Sequence, residues 1–536
     1  MIFFIPAWYQ KNKWCENEQS WYARRTHTEF DDTVKQVQLF HRSKVHPYKI
    51  MLLGFAPNFR HFLHRQSVYH APYWSCFDAI QEIRRKKAML LSFHNLNWPE
   101  GIEFIYSNFV ILAMYHGEKY AQIEFGEDGN PIQVDMFQNN ILKRRNIYDD
   151  RGFLSSTVLY EDGKMLYQDY LRDDGVWKLR EYASDGHVEV NPRASEYLIS
   201  FDGEEETHPF LNQRYDSMQK VIGEVVEAYV KLADPGDMFC IAIDGQHLQA
   251  LDAALQGRKR ILSFYENRLD RSELPKWKSM IESADYVVVD SEENEEEILG
   301  VTDRLLTNIK DISPYDSRVD YSISGQLNVQ KILVPVDALG QNVLDELLEQ
   351  LSGYLTENEN ARVHLFTRRA DYDMESRLLR KAQEVLDRMQ LPTEWARKKS
   401  AQNAENELDA ENELDAEQNE PVKFVVEQCV DEISVSKCIR EQRILVDFSL
   451  EREIYLQIAA VSVGIPQIVC RKTKYVEHGK NGFVLQNTKD IRKSLVYYLS
   501  GMKYWNESLI YSRELSKDNS TAVLVREWKE VIERIG

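Results

Sequence analysis

Apolar positions recur along this chain in two rhythms, and the change between them sets the predicted architecture. Over the first hundred residues, short apolar runs at 2–5, 50–55 and 89–93 alternate with longer mixed segments, the pattern of strands separated by helices in an α/β layer fold. From about residue 104 to 203 the rhythm shortens. Runs such as Ser156-Thr157-Val158-Leu159-Tyr160 and Lys164-Met165-Leu166-Tyr167 are broken by Asp128-Gly129, Arg151-Gly152, Asp162-Gly163, Asp174-Gly175, Asp185-Gly186 and Asp202-Gly203. Asp-Gly favours tight hairpins because both central turn residues take positive φ, so this stretch is predicted to be an antiparallel β-meander. After His208 the first rhythm returns, with an amphipathic helix over 219–232 and buried strands over 237–243, 284–290 and 330–336. A further strand, Ile444-Leu445-Val446-Asp447-Phe448-Ser449, precedes a helix predicted over 451–463, which Gly464 ends and Pro466 keeps from continuing. Residues 495–535 read as helical, with Trp505 and Trp528 as anchors back across the first domain.

A chain of 536 residues exceeds one typical core, and about three structural units at roughly 150 residues each is the expectation. The formal net charge of −20 argues against nucleic acid as a partner, since phosphate binding needs clustered Lys and Arg. Part of that charge is local: eight acidic and no basic residues fall within 405–420, where ENELDA occurs twice in tandem. Such a biased segment is expected to be a solvated insert. The six cysteines show no Cys-x-x-Cys pair and no His spacing that would hold zinc, so no metal is expected and the thiols read as reduced. The opening MIFFIPAWYQKNKW lacks a basic segment ahead of its apolar run and carries Pro6, so it reads as a first strand rather than a signal peptide. No run reaches the roughly 18 apolar residues of a membrane span.

The segment EREIYLQIAAVSVGIPQIVCRKTKYVEHGKNGF, residues 451–483, resembles the nucleotide-sugar segment of retaining glycosyltransferases of the GT-B fold. Aligned on Gly464-Ile465-Pro466, the first family Glu falls on Glu451, and the second, which in the family binds the ribose hydroxyls, falls on Ala459. A methyl accepts no hydrogen bond. In active members an Arg and a Lys follow the first strand of the second domain and neutralise the donor diphosphate. Here that strand is followed by Asp337-Ala338-Leu339-Gly340, and no Lys or Arg occurs between Ile332 and Ala361. The resemblance therefore implies a degenerate donor site at Glu451, Ala459, Asp337 and Gly464, with no catalytic residue and no cofactor carried over.

The expected fold class is α/β and GT-B-like: two Rossmann-like domains with the β-meander inserted in the first. The boundaries are 1–103 and 206–320 for the two parts of the first domain, 104–205 for the meander, 321–500 for the second domain with its acidic insert at 404–420, and 501–536 for C-terminal helices packing back. Tyr73 and Trp74, in an aromatic loop, and His247, in a loop after a buried strand, are candidate sugar or partner contacts; Asp244 and His247 also invite an acid–base reading. Across nearly its whole length the chain is similar to the accessory secretory proteins of Gram-positive bacteria. That resemblance implies a cytoplasmic factor, peripheral to the membrane, in accessory Sec export of glycosylated serine-rich repeat adhesins. Its implied partners are other accessory secretory proteins, the accessory SecA-type motor and the adhesin. The competing expectation is an active retaining UDP-sugar-dependent glycosyltransferase that keeps Glu451 in its donor site.

Overall fold

The computed structural model describes all residues except 17–27, 304, 318–319, 370, 372, 399–421 and 450–452. The acidic tandem repeat and Glu451 therefore lie outside the described residues. The chain divides into two compact units, Met1–Pro314 with Trp528–Gly536, and Tyr315–Glu527.

The first unit is built on a seven-stranded parallel sheet, ordered Ile309–Asp311, Tyr286–Val289, Lys259–Phe264, Met238–Ala242, Ile2–Ile5, Tyr48–Leu52, Tyr73–Ser75. A parallel sheet covered on both faces needs strands that are apolar throughout, and Ile2–Ile5 and Tyr286–Val289 are buried at every position. In register, Phe3 lies beside Phe239 and the rings stack at 5.0 Å. The strand order reverses between Ile2–Ile5 and Met238–Ala242, which places the loops bearing Tyr9 and His247 at the switch point where open α/β sheets bind ligands.

The predicted meander is a ten-stranded antiparallel sheet that runs from Glu103–Tyr106 at one edge to Arg214–Tyr215 at the other. Its turns are only partly those expected. Positive φ at both central residues occurs at Asp162-Gly163 (47° and 77°), and also at Asn139-Asn140 and His116-Gly117. Asp202-Gly203 does the same, but in a separate two-stranded hairpin, Glu196–Phe201 with Glu204–Pro209. At 128–129, 174–175 and 185–186 only the glycine has positive φ, because the Asp side chain instead accepts a backbone N–H two residues on: Asn130, Val176 and His187 respectively. The run 89–93 is not the strand its apolarity predicts. Leu90 is 85% exposed, and this connection is held instead by Met89 N–H to the Arg151 carbonyl and Leu91 N–H to Asn130 Oδ1.

Beneath the meander lies a set of buried charges. Arg151 donates to Asp78 Oδ1 and Oδ2 at 2.8 and 2.9 Å, to Asp149 Oδ1 and Oδ2 at 2.7 Å each, and to the Arg85 carbonyl. Asp150 beside it has its carboxyl pushed up to about 7, by burial first and then by the charge of Asp149. A carboxyl whose folded pKa exceeds its unfolded value contributes stability in full below the unfolded pKa, and that contribution is lost as pH rises through the folded one. The window here runs from about 4 to 7, and the loss between pH 6 and 8 is on the order of 1 kcal/mol. Urea midpoints at pH 6 and 8 should therefore differ more for the wild type than for Asp150→Asn, which keeps an acceptor for the His61 N–H at 3.0 Å. Equal pH slopes for the two proteins would show that Asp150 is ionised in the folded state.

The second unit is a six-stranded parallel sheet, ordered Phe424–Gln428, Ala361–Thr367, Gln330–Pro335, Ile444–Asp447, Gln467–Val469, Gly482–Val484. Its strand order reverses between Gln330–Pro335 and Ile444–Asp447, a Rossmann-like switch point. Among the C-terminal helices the two tryptophans part company. The Trp505 indole donates to the Arg443 carbonyl at 2.9 Å within the second unit, so the expected anchoring across the first domain holds for Trp528 alone.

Candidate functional site

The carboxyl edge of the second sheet is where a nucleotide would bind, and four charged residues meet there in pairs. Asp337 follows the strand Gln330–Pro335, but its carboxylate is turned inward. Oδ1 accepts from Thr367 Oγ1 at 2.5 Å and Oδ2 from the Arg368 N–H at 2.7 Å, so it ties down the turn that follows the neighbouring strand. That turn carries two cations of its own, Arg368 and Arg369. Arg368 forms an ion pair with Glu453 at 2.8 Å, and Arg369 lies 3.7 Å from Asp337 and donates to its backbone carbonyl. The edge thus contains two guanidinium groups and two carboxylates already engaged with each other. Sequence inspection missed Arg368 and Arg369 because they stand 31 and 32 residues beyond Asp337; the signal was Thr367-Arg368-Arg369 at the end of a buried apolar strand.

Deeper in the same edge, Asp447 ends its strand fully enclosed. It accepts from the Ser449 N–H at 3.0 Å and from Gln457 Nε2 at 3.1 Å, and burial pushes its carboxyl up. Gln457 in turn accepts from Thr473 Oγ1 at 2.8 Å. Ala459 lies in the helix Ile454–Val463, every residue of which is buried, and its methyl is part of that packing. Gly464 closes the helix with φ of +83°, its N–H on the Ala460 carbonyl. A Cβ there would stand 2.1 Å from Leu509 Cδ1, so the close approach of Leu509 requires a glycine at this position. The HGKNGF turn is likewise structural: Asn481 is wholly buried, accepting from the Glu477 N–H and donating to the Tyr475 carbonyl, both at 2.8 Å.

The candidates in the first unit separate by burial. Trp74 is a core residue stacked on Tyr229, with centroids 4.1 Å apart. His247 has no exposed surface. Its Nε2–H donates to the Ala242 carbonyl at 2.7 Å, Nδ1 lies 3.4 Å from the Tyr9 hydroxyl, and burial brings its pKa down to about 4 despite Asp244. A neutral imidazole with both nitrogens engaged is an organiser of the switch-point loops, not an exposed acid or base. Of the three candidates, only Tyr73 keeps an exposed ring, against Phe59 at 4.9 Å.

Two Rossmann-like units, the first carrying a long antiparallel extension, define a GT-B-like fold. The pneumococcal O-GlcNAc transferase GtfA, solved with UDP and GlcNAc, superposes over 100% of this chain and 98% of its own with a TM-score of 0.68; at 12% identity that likeness concerns the fold alone. The chain belongs to the accessory Sec system family of accessory secretory protein 1, whose family model matches residues 1–534. A family member from Streptococcus gordonii is 32% identical over 537 residues, covering 99% of this chain and 98% of that protein. A Streptococcus pneumoniae structure of accessory secretory proteins 1, 2 and 3 aligns with 100% of this chain and 99% of its own at 27% identity, with a TM-score of 0.78.

Proposed function

We propose that this chain is a non-catalytic, glycosyltransferase-like factor of accessory Sec export. In this reading it assembles with other accessory secretory proteins at the inner face of the membrane and presents the glycosylated serine-rich repeat adhesin to the accessory SecA-type motor. The observation that carries the non-catalytic part is the paired charge at the second sheet's carboxyl edge. A donor diphosphate would have to compete with Glu453 for Arg368, 2.8 Å away, and would meet the carboxylate of Asp337 3.7 Å from Arg369; the ribose-binding carboxylate of the resembling transferases aligns with Ala459. Assembly is supported by the pneumococcal relative solved together with its two companions. The meander offers a surface suited to it, since its terminal strand Glu103–Tyr106 is a sheet edge with Ile105 and Tyr106 exposed, beside a concavity of about 720 Å³ lined by Leu90, Phe93, Phe109 and Phe125. Among the described residues no helix is long and apolar enough to cross a membrane, so any attachment to one is read as peripheral.

One paired titration tests the proposal. Calorimetry of the purified chain with UDP, UDP-GlcNAc and UDP-glucose should show nothing tighter than about millimolar, while its companion accessory secretory proteins form a stable complex with it on a sizing column. Micromolar nucleotide-sugar binding with transfer to an adhesin peptide would establish an active transferase instead. Failure to form the complex would refute the assembly role.

A further inference from the structure

One strand over from the donor edge's charge pairs, where Thr367 pairs with Gln428, the second unit gathers a set of groups that neither the fold comparison nor the proposed function uses. A carboxylate oxygen of Glu427, Sγ of Cys429 and Sγ of Cys438 all lie within 4.8 Å of one another. Each is held by rigid structure. Glu427 is in the strand Phe424–Gln428; Cys429 follows it, with its N–H on the Thr367 carbonyl at 2.9 Å; and Cys438 is in the helix Glu432–Glu441, whose start is fixed by a reciprocal Asp431–Ser434 cap. His364, buried on the adjacent strand Ala361–Thr367, has Nδ1 at 2.7 Å from Glu427 Oε1. Gln442 Nε2 reaches Cys438 Sγ at 3.7 Å.

We infer that Glu427, Cys429 and Cys438 form a binding site for one thiophilic divalent cation of the zinc type. Cysteine sulfur and glutamate oxygen are both zinc ligands, and three protein ligands leave the fourth tetrahedral position to water or a partner's side chain. The geometry is close to that requirement: Zn–S bonds of about 2.3 Å in a tetrahedron put the two sulfurs roughly 3.8 Å apart, which a small rotation of either thiol supplies. His364 completes the arrangement. Through Nδ1–H it holds Glu427 Oε1 and so fixes how the carboxylate faces the two sulfurs, the outer-shell orientation by which protein metal sites position their ligands. Metal binding releases protons from both thiols, so affinity falls as pH drops. No short-spacing motif announces the site because its sulfurs are nine residues apart, brought together by a strand-to-helix turn.

The test uses the full chain, reduced and stripped with chelator, then titrated with Co²⁺ as a spectroscopic stand-in for Zn²⁺. One Co²⁺ per chain should bind with thiolate-to-metal charge transfer and tetrahedral d–d bands, and Zn²⁺ should displace it. Cys429→Ser and Cys438→Ser should each abolish the charge-transfer band, Cys470→Ser should leave it unchanged, and His364→Gln should keep the band while weakening binding about 10–100-fold. A measurement free of variants guards against misfolding: in the wild type, Zn²⁺ should protect Cys429 and Cys438, but not Cys15, from alkylation mapped by mass spectrometry. Absence of the band in the reduced wild type, its survival in either of the first two variants, or equal alkylation with and without Zn²⁺ would overturn the inference. So would recovery of Cys429 and Cys438 as a disulfide that takes up no metal after reduction.

Discussion

Replacing Arg151 with methionine should cost the first unit about 3–5 kcal/mol, the usual result of removing one partner from a buried ion pair. Arg151 lies against two carboxylates at once, Asp78 from the parallel-sheet layer and Asp149 from the meander, with four donor–acceptor distances of 2.7–2.9 Å. Methionine fills much of the volume and donates nothing. Asp149, already pushed upward by burial, then faces Asp78 and Asp150 with no cation of comparable proximity. Urea denaturation followed by a signal from this unit measures the loss, and it should be larger at pH 8 than at pH 5, where the stranded carboxylates take up protons. Adding Asp149→Asn and Asp78→Asn to Arg151→Met should return most of the stability, because the penalty lies in the unpaired charge rather than in the lost attraction. A loss below about 1 kcal/mol at pH 8 would mean that water reaches the site and that these charges do not join the meander to the layer beneath it.

Both parallel sheets were legible in the sequence for one physical reason. Strands covered on both faces must be apolar at successive positions, and Ile2–Ile5, Tyr286–Val289 and Gln330–Pro335 meet that demand in their central residues. The meander was legible through turn chemistry, which is local. What escaped depended on partners distant in sequence. The run 89–93 is as apolar as a strand, yet its backbone partners are Asn130 and the Arg151 carbonyl rather than a sheet neighbour. Asp337 reads as a charge that repels phosphate; its inward turn toward Thr367 and the nearby Arg368 and Arg369 appear only when two adjacent strands end side by side. His247 reads from the sequence as a loop residue placed to contact a sugar or partner, and the fold closes over it. Trp505 and Trp528 are indistinguishable by composition, and only the division of the C-terminal helices between the units separates them.

Trp528→Ala should destabilise the first unit by about 3–5 kcal/mol, the range for emptying a buried aromatic site. The last nine residues belong to that unit although more than two hundred residues of the second precede them in the chain. Trp528, 2% exposed, is the large side chain among them. Its ring stands edge-on to Phe40 at 5.4 Å and to Phe4 at 6.3 Å, Phe4 being in Ile2–Ile5, an interior strand of the parallel sheet. Edge-to-face contacts of this kind add roughly 0.5–1.5 kcal/mol to the burial itself. Val531, one turn on, is fully buried, and Glu530 pairs with Lys310 at 2.8 Å. Phenylalanine keeps most of the apolar area and the edge geometry, so Trp528→Phe should cost under about 1.5 kcal/mol. Differential scanning calorimetry of the three proteins gives the ranking, and limited proteolysis after Glu527 should cut Trp528→Ala first. A ranking in which the alanine and phenylalanine variants coincide, both near wild type, would show that the terminal helix contributes no core to the first unit and that Phe4 and Phe40 pack sufficiently without it.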